Sequence, residues 1–401
     1  MPIRPAAILV AAFCFASLCP AQEPRVLTLD AAYARVLEKH PDLARFAFSR
    51  EGAEAALESE GQRAPLRLDL EVVDSSESTL SFASVYERGG KRAARAAVAG
   101  AQRSALDTEE QQRRADLIAE VARRYLDVLA AQVSRDLAAT ELTQRERAAE
   151  SAAQRVRAGA TPESVRLAAE AAAVRAGLQR DRAGTQADAA ARRLAVLWNS
   201  REPDFDRATG DVMALPRVAS LESLRALIDR SPELRRFATE SRLREARVQL
   251  ARARQFTDIE WSAGVRRLEE EGAWAAVVGV SVPLGSAARA APGIRAAQAE
   301  LTALSLERES QSMTLEATLS EAWSQWSAAS AEVQAGHDRL LPKLEQAERS
   351  SERAFRAGAL TYAEWSQIQA DVTAARREQL SAALEAHRAH IEIQRLTGSQ
   401  P

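Results

Sequence analysis

The sequence predicts a mainly α protein with a small β part, made of two copies of one long helical hairpin, each copy carrying a short β-hairpin. Three observations lead there. No Gly or Pro occurs between Ala101 and Ala158, in a chain dominated by Ala, Arg, Glu, Gln and Leu. Arg-Ala-Gly-Ala occurs twice, in RVRAGATPESV (155–165) and AFRAGALTYAEW (354–365), each time between long runs of helix formers. Four short runs alternate apolar and polar residues with a period of two.

At 401 residues, 46% hydrophobic but only 5% aromatic, the chain has the composition of long helices and coiled coils rather than of a mixed α/β enzyme. A net charge of −2, with Arg interspersed among Glu and Asp, argues against a nucleic-acid surface. Residues 1–21 read as a secretory signal peptide, with Arg4 as the positive region, an apolar Ala6–Leu18 and Cys19-Pro20-Ala21 before cleavage. Acylation of Cys19 is the poorer reading, because Leu18 stands where a small residue is wanted. Cys14 and Cys19 both fall in this leader, so the mature chain is expected to have no disulfide and no thiolate chemistry.

The two halves align: LEKHPDLARFA from Leu37 with IDRSPELRRFA from Ile228, and Leu117, Val121 and Tyr125 with Leu315, Leu319 and Trp323. The offset grows from 191 at Pro41 and Pro232 to 199 at Gly159 and Gly358, as small loop insertions would produce. The expected organisation is repeat 1 over 22–200, a linker over 201–217 carrying Pro203, Gly210 and Pro216, and repeat 2 over 218–398. In each repeat a short helix ends before the proline, since the residue preceding proline is pushed out of the helical region. A second helix follows, then the β segment, the long helix, the Gly break and a return helix. The helix between Ala101 and Ala158 would be about 85 Å long, which suits an elongated bundle or barrel of coiled helices.

Strands are expected at about 66–74, 78–88, 258–267 and 274–284. Leu66, Leu68, Leu70 and Val72 alternate with Arg67, Asp69 and Glu71, and Trp274, Ala276, Val278, Val280 and Val282 line one face of the last strand. Asp74-Ser75-Ser76 and Glu269-Glu270-Glu271-Gly272 supply the turns. Strands of this length cross a bilayer at a tilt, and the polar face suits a wet lumen. Open edges are not tolerated in lipid, and four strands cannot close a barrel. Three copies would supply twelve. Two hairpins packed on a water-soluble helical bundle are the alternative.

Over its mature length the chain resembles the TolC family of outer-membrane efflux channels. The resemblance rests on LTLDAAYARVLEKHPDLA, on ERGGKRAARAAVA after the first hairpin, on VGVSVPLGSAARAAPGIRAAQAEL after the second, and on RAGALTYAEWSQIQAD. The Gly-Gly-Lys-Arg-Ala-Ala-Arg run is most like the CzcC-like branch. The resemblance implies a homotrimer with a twelve-stranded outer-membrane barrel and a periplasmic α-barrel. It implies as partners a periplasmic adaptor, an inner-membrane pump of the resistance-nodulation-division class and outer-membrane lipid, with divalent metal cations as cargo. It implies adaptor docking at the hairpin tips: Arg157, Ala158, Gly159, Ala160 and Thr161 in one, and Arg356, Ala357, Gly358, Ala359, Leu360 and Thr361 in the other. Gly just past a helix can close it at positive φ, and Thr161 or Thr361 can cap the next one. Relatives constrict the tunnel with carboxylates just past the tip, the position of Glu364, and Gln367 stands where some carry a second acid.

No cofactor and no nucleic acid are expected. A phosphate-cradling loop and a nucleophile elbow are both missing from the sequence, so an enzyme is not expected. His387 and His390 lack a third ligand and read as a solvated helix face, while His40 and His337 read as loop or cap residues. The rival function is a periplasmic coiled-coil adaptor or scaffold without a membrane barrel, against which the missing lipoyl-like β block counts.

Overall fold

The computed structural model describes residues 25–73, 77–269 and 272–398. The expected leader with Cys14 and Cys19, the turn residues Asp74, Ser75 and Ser76, and Glu270 and Glu271 lie outside them. The first half runs β1 (Val26–Leu27), α1 (Leu29–Lys39), α2 (Pro41–Glu60), β2 (Arg67–Val73), β3 (Glu77–Tyr86), α3 (Lys91–Arg157) and α4 (Glu163–Ala195). The second runs β4 (Arg207–Ala208), α5 (Leu221–Arg225), α6 (Pro232–Ala253), β5 (Ile259–Leu268), β6 (Ala273–Ser281), α7 (Ser286–Ala335), α8 (Leu341–Arg356) and α9 (Tyr362–Thr397).

Equivalent residues perform equivalent tasks. Pro41 and Pro232 each open a helix, where a missing N–H costs nothing. His40 Nδ1 caps α2 by accepting from the Asp42 N–H at 3.1 Å, and Ser231 Oγ caps α6 by accepting from Leu234 N–H at 3.2 Å. Leu117, Val121 and Leu319 are fully buried, and Leu315 nearly so. The aromatic residue one turn on pins the extended segment leading into each repeat. Tyr125 Oη donates within 2.8 Å of the Leu27 carbonyl, and Trp323 Nε1 donates to the Ala219 carbonyl at 3.1 Å.

At 67 residues α3 is about 100 Å long. Its counterpart is interrupted: α7 passes through a π-helical turn, Gly336–Leu340, into α8. His337 therefore sits within a continuing helix, not in a loop or cap as expected. Pro342 explains the turn, since it has no N–H for the carbonyl one turn back and the extra residue re-routes the ladder. Among the helices α4 packs on α3, α3 on α9, and α9 on α7 and α8.

The two hairpins join into one antiparallel sheet ordered β2-β3-β5-β6. Leu70 pairs with Leu80, Leu80 with Val265, and Val265 with Ala276, so one face is apolar across all four strands. It is also exposed: Leu70 to 69% and Val278 to 78%. β6 stops at Ser281, short of the expected 284, because Pro283 cannot donate to a ladder. None of the described helices is long and apolar enough to cross a membrane.

Candidate docking tips and sheet face

The two Arg-Ala-Gly-Ala turns close their helices in the same way. In the first, Gly159 has φ +70°, its N–H donates to Val156 O at 2.9 Å, and Ala160 N–H donates to Arg155 O at 2.9 Å. In the second, Gly358 has φ +80°, with Gly358 N–H to Phe355 O at 3.0 Å and Ala359 N–H to Ala354 O at 2.9 Å. Glycine takes this left-handed conformation without a Cβ clash, which is why it stands there. Arg157, Ala158 and Ala160, like Arg356, Ala357 and Ala359, are exposed around it.

Beyond the turns the tips differ. Thr361 caps α9 in a full capping box: its Oγ1 accepts from Glu364 N–H, and the Glu364 carboxylate accepts from Thr361 N–H at 2.9 Å and from Thr361 Oγ1 at 2.6 Å. Thr161 does not cap α4, contrary to expectation. Pro162 occupies the cap position, and the Thr161 hydroxyl is buried without a partner. Glu364 is exposed, and the hydrogen bonds from Thr361 hold its carboxyl below the usual glutamate range. Gln367 donates to the Asp371 carboxylate at 2.8 Å, so the next acid beyond Glu364 on this helix face is Asp371.

Sequence reasoning passed over the group that sets the two tips side by side. Phe355 is 1% exposed and stacks on Trp365 at 4.6 Å between ring centres, with Tyr362 edge-on to both at 6.2 Å. Leu360 packs against this cluster. From the first hairpin, Arg155 lies over the Phe355 ring and donates to its carbonyl. The signal was an aromatic trio flanking the second Gly, in a chain with few aromatics.

At the other end, the sheet carries its polar groups on the face opposite Val278. Arg266 donates to Thr79 Oγ1 at 3.1 Å and pairs with Glu77 at 3.3 Å. The Gly-Gly-Lys run forms the joint between strand and helix. Gly89, at φ +72°, leaves room for Phe256, whose ring would lie 2.2 Å from a Cβ there. Lys91 pairs with Asp258 at 2.7 Å, fixing the start of α3 to the strand that follows α6.

His387 and His390 are not on a solvated face. Both are half-buried, and His387 Nε2 lies 2.9 Å from the Val212 carbonyl, so the segment joining the repeats covers His387. Burial lowers the pKa of both rings. Among the described residues no group of three or more His, Cys, Asp or Glu could hold a metal ion.

The sequence profile of the Outer membrane efflux protein family matches residues 224–399. The cobalt-zinc-cadmium resistance protein CzcC of Cupriavidus metallidurans is 29% identical over 321 residues, spanning 80% of this chain and 77% of that protein. The outer-membrane channel OprN superposes with a TM-score of 0.76 at 20% identity, over 93% of this chain and 91% of that one. CusC does so with a TM-score of 0.76 at 14% identity over 92% and 91%, and the open state of MtrE of Neisseria gonorrhoeae with 0.75 at 19% over 94% and 89%. These likenesses, with the duplicated helical hairpins and the four-stranded sheet, make the chain similar in sequence to outer membrane efflux proteins over its second repeat and similar in fold to outer-membrane channels over nearly its whole length.

Proposed function

We propose that three copies of this chain form the outer-membrane exit duct of a tripartite efflux system. Each contributes four strands to a twelve-stranded barrel, and the helices continue it as a periplasmic tunnel. The observation that carries this reading is the sheet itself. Its apolar face is exposed, its other face holds Arg266, Glu77 and Thr79, and its edges are β2 and β6. Such edges persist in lipid only if β6 of one copy pairs with β2 of the next. The two glycine tips, at the far ends of the long helices, present short exposed side chains to a periplasmic adaptor, and an inner-membrane pump of the resistance-nodulation-division class supplies the energy. The similarity to a cobalt-zinc-cadmium resistance protein supports divalent metal cations as cargo. Glu364, one from each copy, would ring the tunnel just inside the tips, and like charges converging there attract cations.

Extraction and crosslinking test the duct, and a deletion strain tests its cargo. The protein is expected to resist high salt, to need detergent, and to give crosslinked species that saturate at three. Release by salt alone would favour a periplasmic scaffold instead. A deletion strain should become sensitive to zinc, cobalt or cadmium; unchanged tolerance of all three would remove the metal assignment and leave the duct.

A further inference from the structure

The duplication leaves one place filled in the first repeat and unfilled in the second. In the first, Asn199 closes the end of α4 at φ +58°, and the chain returns at Arg207 as β4, parallel to β1. Asp206 N–H donates to the Arg25 carbonyl at 2.9 Å, and Thr209 N–H to the Leu27 carbonyl at 3.0 Å. The Asp206 carboxylate accepts from Arg25 N–H at 2.9 Å. From α3, the Gln132 amide takes Ala208 by both backbone groups, donating to its carbonyl at 3.1 Å and accepting from its N–H at 3.0 Å. Leu27 and Ala208 are both buried. The second repeat has the same receiving side. Pro216-Arg217-Val218 matches Pro24-Arg25-Val26, and Trp323 holds Ala219 as Tyr125 holds Leu27. Gly398 closes α9 at φ +67°, and in the register that pairs Trp323 with Tyr125, Ser330 stands where Gln132 does. Among the described residues no strand follows α9. Ala219 is exposed, and among the described residues the backbone groups of Arg217 and Val218 have no hydrogen-bond partner and the Arg217 guanidinium has no acid. Where β4 would lie there is a cavity of about 520 Å³, lined by Pro216, Arg217, Val218, Trp326, Ser330 and His337. The Trp326 indole N–H and the Ser330 hydroxyl are buried without a partner, a cost that a hydrogen-bonding occupant removes.

We propose that this slot receives an extended segment of a partner polypeptide, added as a parallel strand along Arg217–Ala219. The filled copy states what the segment must carry. Its N–H groups reach the Arg217 and Ala219 carbonyls, as those of Asp206 and Thr209 reach Arg25 and Leu27. A small residue lies over Ser330, where Ala208 lies over Gln132, and its backbone partners the buried hydroxyl. An acid two positions earlier, the place of Asp206, answers the unpaired charge of Arg217. Main-chain hydrogen bonds supply the affinity, and these two side chains select the partner. The residues Ser399–Pro401 are too few to make the return that the first repeat makes between Asn199 and Arg207. The slot lies within one chain and does not depend on the trimeric duct.

The probe is a fluorescently labelled peptide that copies the first repeat's own strand, PDFDRATGD (203–211). Its anisotropy should rise on the full chain in detergent, and amide exchange at Arg217 and Ala219 should slow. Ser330→Phe plugs the cavity and should abolish binding. Arg217→Glu, at an exposed position that leaves the packing alone, should weaken binding about tenfold, the worth of one charge-assisted contact. A peptide with Asp206→Lys should regain that loss on the Arg217→Glu protein. Binding that survives Ser330→Phe, or no rescue by the lysine peptide, overturns the slot. No binding by the full chain overturns the partner. If binding then appears once Ser399–Pro401 are removed, the chain's own end fills the slot instead. Each of these failures leaves the efflux duct standing.

Discussion

Arg155 in α3 and Phe355 in α8 hold the two hairpin tips together: the guanidinium carbon sits 4.8 Å from the centre of the Phe355 ring, and an N–H of the same group donates to the Phe355 carbonyl. One side chain thus makes a cation–π contact and a hydrogen bond across residues of the two repeats. A cation–π contact contributes about 0.5–2 kcal/mol, depending on desolvation. Arg155→Ala should therefore leave the barrel intact while amide exchange at residues 158–162 and 357–361 rises several-fold. Arg155→Lys should rescue only part of it, because an ammonium lacks the flat fork that covers the ring and reaches the carbonyl together. Unchanged exchange in Arg155→Ala would mean that the aromatic trio holds the tips without it.

The sheet makes a sided prediction. Val278 faces away from the polar groups and is 78% exposed, whereas Ser262, which precedes Val278's register partner Ala263, points to the opposite face. Val278→Arg near the bilayer midplane should cost about 2–4 kcal/mol, while Ser262→Arg, facing water, should cost far less. Insertion yield and trimer melting in the same membranes compare them. Equal tolerance would show that the lipid and lumen faces are assigned the wrong way round.

The plan of the fold was legible where local chemistry dictates it. Pro41 and Pro232 must open helices, Gly159 and Gly358 must close them, and strands with one apolar face must alternate. What escaped depends on residues far apart in the chain. Nothing near His387 announces that Val212, 175 residues earlier, will cover it. Thr161 looks like a cap until Pro162 takes the place, and His337 looks like a loop until Pro342 turns out to be absorbed by a π turn. The Arg155–Phe355 contact is of the same kind, joining residues 200 positions apart. In the candidate site the glycines were readable and the aromatic support beneath them was not.

The half-buried histidines predict a pH dependence. Burial is the main cause that lowers the pKa of His387 and His390, opposed for His387 by the Val212 carbonyl and the charge of Asp211. The unfolded chain, with a histidine pKa of about 6.5, then binds protons that the folded chain refuses. The stability these rings contribute is present above that value and is lost as pH falls through the lower folded values. Melting temperature should drop as pH falls below about 6.5, and a His387→Gln, His390→Gln variant should drop less over the same range. An identical slope in both proteins would assign the acid sensitivity to other groups.

The repeated glycines give the sharpest test of the tips as docking elements. At φ +70° and +80° a residue with a Cβ is strained, on the order of 1–2 kcal/mol, and a β-branched one more so. Around Gly159 a Cβ would meet open space, whereas at Gly358 it would lie 3.6 Å from the Arg155 guanidinium that braces the tips. Gly358→Val should therefore disturb its tip more than Gly159→Val. Both lie at the far end of the long helices from the strands, so trimer and membrane insertion should stay normal. Metal resistance of a complemented deletion strain should nevertheless fall, most for Gly358→Val, because a bulkier and displaced tip no longer seals against an approaching adaptor hairpin. Trimer is quantified in the same membranes, so a folding defect and a docking defect separate. Full resistance in the double Val variant, with trimer at the normal level, would reduce the two segments to simple helix turns.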